Sequence, residues 1–75
     1  MTDHLMHRCH LAQAERHIAD GRAHIAKQQR RISDQDSRGE DSRRSVRLLR
    51  EFIQLQSLRE LHRTQILREL DLMER

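Results

Sequence analysis

The chain has 75 residues, no proline, a single aromatic residue and a net charge of +3. So short a chain forms at most one domain and rarely gains more than about 3–5 kcal/mol of stability from its own core. Because Cys9 is the only cysteine, a disulfide bond within the chain is excluded. A single thiol without a recognisable export signal favours the cytoplasm, and no apolar run approaches the roughly 20 residues that span a bilayer.

An apolar heptad repeat predicts the first helix. One set of residues recurs every seven positions, and a second set lies halfway between its members. In heptad notation these are the a and d positions of a helix that packs on another helix, and the small residues at d let a partner backbone come close. The pattern predicts a helix over about residues 3–37. The a set is Leu11, Ile18, Ile25 and Ile32, and the d set is Ala14, Gly21 and Gln28.

The segment 33–42 is the only stretch with turn chemistry. Gly39 suits the left-handed position just past a helix end, and Asp41 or Ser42 suits the N-cap of the next helix. We therefore predict a turn at about 38–41 and a second helix at about 42–74. So short a turn requires the two helices to run antiparallel, as a single helical hairpin over residues 1–75.

The second helix carries two apolar clusters eighteen residues, or five helical turns, apart, so we expect both to face the first helix. Between them, Gln56, Arg59 and His62 are expected to approach Gly21, where Arg59 has room to reach Asp20 or a carboxylate of a partner chain. A second, weaker stripe predicts contact with another neighbour. The expected fold is therefore an all-α hairpin that dimerises into a four-helix bundle. The clusters are Leu48, Leu49, Phe52 and Leu55, then Ile66, Leu67, Leu70 and Met73, and the stripe that marks the dimer interface is Leu58, Leu61 and Leu72.

Several of these segments resemble a group of short bacterial helical-hairpin proteins for which no function is known. The resemblance covers about residues 10–72 and implies a helical hairpin, but it implies no activity. The polar turn segment departs from the apolar helix end typical of that group. The residues that carry the resemblance are Ala-Glu-Arg-His-Ile-Ala at 14–19, Gly21, His-Ile-Ala at 24–26, Gln28, Gly39, Asp41, and Leu-Arg-Glu-Leu at 67–70.

Positive charge is concentrated around the turn. Residues 27–50 hold eight basic and four acidic side chains, a balance of +4, whereas the rest of the chain has seven and eight, a balance of −1. Cations in the first turn of a helix are disfavoured by the helix dipole, and a bound phosphate would offset that cost. The alternative is a solvated turn neutralised by its own carboxylates, with the arginine bias reflecting codon usage. The candidates for nucleic-acid contact are Arg43, Arg44, Arg47 and Arg50.

Other chemistry has weaker support. His4, His7 and His10 recur every three residues and are weak candidates for a metal site, although a helix terminus also binds metals adventitiously. No ordered set of catalytic residues suggests an enzyme or a cofactor. We therefore expect a small cytoplasmic, homo-oligomeric interaction or scaffold protein, with an unidentified protein partner left open. The alternative is an RNA- or DNA-binding accessory protein, and the weaker alternative is histidine-based metal binding.

Overall fold

The computed structural model describes the backbone of residues 2–75 and the side chains of residues 4–75. It is a hairpin of two helices packed along their lengths, α1 over Thr2–Ser37 and α2 over Arg43–Met73. The limits expected from the sequence were about 3–37 and 42–74. The hairpin is a rod of 57 × 14 × 14 Å. Within the described part of the chain there is no β-strand, and neither helix is long and apolar enough to cross a membrane.

Gly39 ends the first helix in the conformation that the sequence suggests. Its φ is +72°, in the left-handed region that glycine adopts without a Cβ clash. The N–H of Glu40 donates to the carbonyl of Gln35 at 2.8 Å, and the N–H of Gly39 donates to that of Asp36 at 3.1 Å. These two bonds form a Schellman motif, which satisfies carbonyls left without partners at the end of α1.

The side chain of Asp41, rather than that of the N-cap residue Ser42, caps α2. Ser42 is the N-cap residue, but its hydroxyl does not cap the helix; it donates to Asp36 Oδ1 at 2.8 Å. Asp41 instead accepts the backbone N–H of Arg43 at 3.0 Å and pairs with its guanidinium at 2.9 Å. The side-chain bond from Arg43 is the main reason why the pKa of the Asp41 carboxyl is lowered from its ordinary value. A carboxylate therefore lies against the positive end of the α2 dipole.

The α1 side of the helix contact follows the heptad positions. Its d residues, Ala14, Gly21 and Gln28, are buried, as is Ile18 at position a. The remaining a residues are half-buried: Leu11, Ile25 and Ile32.

The α2 side of the contact differs from the expectation. Leu48 and Leu55 were expected to face α1 but are 37% and 44% exposed, and Leu67 and Met73 are 45% and 43% exposed. The expectation that both complete clusters face α1 is therefore wrong. The contact follows alternating steps of three and four residues, which places polar side chains between the two apolar ends. The residues along it are Ser45, Leu49, Phe52, Gln56, Arg59, Arg63, Ile66 and Leu70.

The resulting core is small. Its buried apolar side chains in the described residues are Ala14, Ile18, Ile66 and Leu70. The chain exposes 6191 Å², whereas a globular protein of 9.1 kDa exposes about 4,900 Å² by the usual scaling with mass. The excess of roughly 1,300 Å² shows how little surface two helices cover by themselves.

Candidate functional site

The centre of the hairpin is held by side chains that bond to the backbone of the opposite helix. Gln56 Nε2 donates to the Ile18 carbonyl at 2.8 Å, and Gln28 Nε2 donates to the Ser45 carbonyl at 2.9 Å. Both glutamines are only 6% exposed. Because a buried amide is costly without a partner, these bonds favour one alignment of the helices over neighbouring ones.

Gly21 provides the space that Gln56 fills. A Cβ at Gly21 would lie 1.9 Å from Gln56 Oε1 and 3.0 Å from Arg59 Nη1. Arg59 was expected to use this space and reach Asp20 or a partner chain's carboxylate; within the hairpin its Nη1 donates instead to the His17 carbonyl at 3.2 Å. His62, expected in the same layer, is exposed. Gln56, whose position fits the three- and four-residue spacing of the α2 contact, therefore occupies the space beside Gly21.

A leucine surface lies on the outer side of α2. The three leucines predicted at a dimer interface are strongly exposed, at 64% for Leu58, 55% for Leu61 and 65% for Leu72. Together with Leu48 and Leu55 they fall within about 140° of arc on the helix, at 3.6 residues per turn. We call these five residues the leucine surface. The described hairpin leaves Leu58, Leu61 and Leu72 more than half exposed, and it covers Leu55 and Leu48 further, to 44% and 37% exposure. Large exposed apolar patches commonly mark interaction sites.

The four predicted arginines line one groove of about 650 Å³ at the start of α2. Arg43 is already paired with Asp41, and this pairing raises the pKa of its guanidinium. Among the side chains of residues 4–75, no salt bridge joins a carboxylate to Arg44, Arg47 or Arg50. The groove therefore keeps an uncompensated positive charge and can accept anionic groups.

The open end of the hairpin is joined by histidine–glutamate contacts. His4 Nε2 lies 3.2 Å from Glu74 Oε1, and His7 Nε2 lies 2.6 Å from Glu69 Oε2. The bond with His4 is the first cause of the lowered pKa of the Glu74 carboxyl, and a 3.1 Å bond from Arg8 is the second. These contacts tie the end of α2 to the start of α1.

The predicted metal candidates do not assemble into a metal site. The rings of His7 and His10 lie 6.2 Å apart, while His4 and His7 turn towards glutamates of α2. Across the described residues, no group of three or more His, Cys, Asp or Glu side chains is placed to hold a metal ion. The exposed Cys9 adds no ligand to such a group.

No family model matches the chain, and neither the curated proteins nor the solved structures contain one that is significantly similar to it. The resemblance to bacterial helical hairpins stays a prediction.

Sequence reasoning missed the bonds of Gln28 and Gln56 to carbonyls of the opposite helix, because these bonds depend on the register between the two helices. The one sequence feature that pointed to this pairing was Gly21, a residue without a side chain opposite a polar layer of α2.

Proposed function

We propose that the chain is a small cytoplasmic interaction or scaffold protein without catalytic activity, and that two hairpins associate into a four-helix bundle. The observation that carries the proposal is the leucine surface. Leu58 and Leu72 are 64% and 65% exposed, whereas two glutamines are among the most buried side chains. Each buried leucine contributes about 1.5–3 kcal/mol relative to an exposed one. Association through this surface would therefore stabilise a fold whose own core is thin.

The exposed area supports a partner of substantial size. The excess of roughly 1,300 Å² over a globular chain of this mass is larger than the 800 Å² or so that each partner buries in a standard interface. A second copy of the chain is present wherever the chain is made, and it carries the same apolar surface. A homodimer is accordingly the simplest assembly that covers it.

The test is the mass in solution. Light scattering at micromolar concentration should give twice the chain mass, and the melting temperature should rise with protein concentration. Replacing Leu58 and Leu61 with Glu should yield monomers, whereas Ala23→Glu, which introduces one glutamate at an exposed position on α1, should leave the dimer intact. A wild-type monomer with a concentration-independent melt would refute the proposal.

The arginine groove favours a second candidate function, the binding of RNA or DNA. Its support is that Arg43, Arg44, Arg47 and Arg50 line one groove. Binding of duplex oligonucleotides should weaken with salt, and each phosphate contact removed should reduce the log–log salt slope by about 0.9 for B-form DNA. Alanine at Arg44 and Arg50 should reduce that slope, while alanine at Arg16 and Arg22, which are exposed on α1 outside the groove, should have less effect. No binding at low salt would remove this candidate.

A further inference from the structure

Two pairs of residues on the outer face of α2 are placed symmetrically about Leu58. Leu55 and Leu61 lie three residues before and after it. Arg47 and Glu69 lie eleven residues before and after it, which is about three helical turns in each direction. At 3.6 residues per turn, both charged residues therefore point within about 20° of the direction of Leu58. All five side chains are exposed.

This symmetry suits a particular contact between two copies. When two α2 helices run antiparallel with a two-fold axis at Leu58, each residue meets the one that lies equally far on the other side of Leu58. Leu55 then meets Leu61 of the second copy, and Arg47 meets Glu69. Each ion pair occurs twice because the interface is isologous.

The opposite orientation is unfavourable on charge. With the two turns at the same end, Arg47 would face Arg47 and Glu69 would face Glu69, and the two tip segments, each with a balance of +4, would lie side by side. Like charges across an interface destabilise the wrong arrangement. Arg47 has no salt bridge among the described side chains, and Glu69 remains 56% exposed although it contacts His7. Both are thus accessible to a second chain.

We propose that two copies associate through antiparallel α2 helices, with Leu58 at the two-fold axis and Arg47 of each chain paired with Glu69 of the other. This inference rests on the dimer proposed above and specifies its orientation. Leu55, Leu58 and Leu61 supply the apolar contact, and the two ion pairs select the antiparallel orientation. In this orientation the positively charged turn of one hairpin, with Arg47, lies beside the open end of the other hairpin, with Glu69.

The single cysteine permits a direct test of orientation. Cys9 is exposed and lies level with residues near 68 on α2, about ten residues from Leu58. Each Cys9 lies about ten residues, or about 15 Å along the helix axis, from the two-fold axis, and the two labels lie on opposite sides of it. Spin labels on the two Cys9 residues should therefore give a pulsed dipolar distance of about 30 Å or more. In the opposite orientation the labels lie at the same level. A distance below about 25 Å in a confirmed dimer would overturn the inference and leave the dimer itself standing.

Charge reversal provides the second test. Arg47→Glu should weaken dimerisation about tenfold, since both ion pairs become repulsive, and adding Glu69→Arg should restore it. Arg16→Glu, the same charge change on the outer side of α1, is the matched control and should have little effect. Circular dichroism should show that all variants keep their helix content. An unchanged dimerisation constant for Arg47→Glu would contradict the pairing, and a wild-type chain of monomeric mass would overturn this inference together with the dimer.

Discussion

Gly21→Ala should destabilise the hairpin, although alanine normally favours a helix. In an ordinary helix interior the change from glycine to alanine stabilises by about 1 kcal/mol. Here the new Cβ would lie 1.9 Å from Gln56 Oε1, so the amide has to leave its place and its bond to the Ile18 carbonyl. The lost bond costs about 0.5–1.5 kcal/mol, and repacking the displaced amide in the helix contact costs about 1–3 kcal/mol. We expect a net loss of about 1–2 kcal/mol.

The measurement is thermal and urea unfolding followed by circular dichroism at one fixed chain concentration, since association shifts apparent stability. For a domain of this size, each kcal/mol lowers the melting temperature by roughly 4–8 °C. Ala19→Gly, at an exposed position two residues away, measures the ordinary propensity effect and should cost about 1 kcal/mol. Gly21→Ala that raises the melting temperature would refute the reasoning.

A double-mutant cycle isolates the contact itself. In a Gln56→Ala background the obstacle is gone, so Gly21→Ala should become stabilising by about 1 kcal/mol, as at an ordinary helix position. The coupling between the two sites should then be about 2–3 kcal/mol, within the range for residues in direct contact. Additive effects would mean that Gln56 does not fill the space at Gly21.

Three further predictions follow from single contacts. Gln28→Ala should cost about 1–2 kcal/mol in urea unfolding because a buried bond across the helices is lost, whereas exposed Gln29→Ala should change stability by less than about 0.5 kcal/mol. Gly39→Ala should lower the melting temperature, since a φ of +72° costs an L-residue about 1–2 kcal/mol. Because the pKa of Glu74 is lowered in the folded chain, its contribution should be complete above about pH 4.5 and lost as the pH falls through the lowered pKa; Glu74→Gln should remove that part of an acid titration of stability.

The local features of the fold could be predicted because each depends on residues close together in the chain. The heptads of α1 identify its inner face, and Gly39 ends the helix in a segment with no other glycine. The inner face of α2 could not be identified in the same way. Leu48 and Leu55 are more apolar than Gln56, yet Gln56 is buried. Gln56 is buried because the space beside Gly21 on α1 accepts its side chain. The residue pattern of α2 alone contains no information about that space.

The candidate surfaces that lie on one helix could be predicted from the sequence, whereas the contacts between the two helices could not. The four arginines share a groove because they fall within eight consecutive residues of one helix. The leucine surface also follows from spacing within one helix. The contacts of His4 with Glu74 and His7 with Glu69 bring together residues more than sixty positions apart. They require the register of the hairpin, which the bonds of the two buried glutamines favour and which the spacing of apolar residues within one helix does not define.

The polar centre of the contact should limit assembly rather than maximise stability. Leucine at Gln56 and Arg59 would replace bonds to the Ile18 and His17 carbonyls with apolar contact. Replacing buried polar groups with well-packed apolar ones is often neutral or stabilising, whereas a buried polar residue fixes register and oligomer state. The double variant should therefore melt at a higher temperature and, in analytical ultracentrifugation, show several oligomers instead of one. A hotter melt with a single species would show that the leucine surface alone determines assembly, and a cooler melt would show that the two bonds are needed for stability itself.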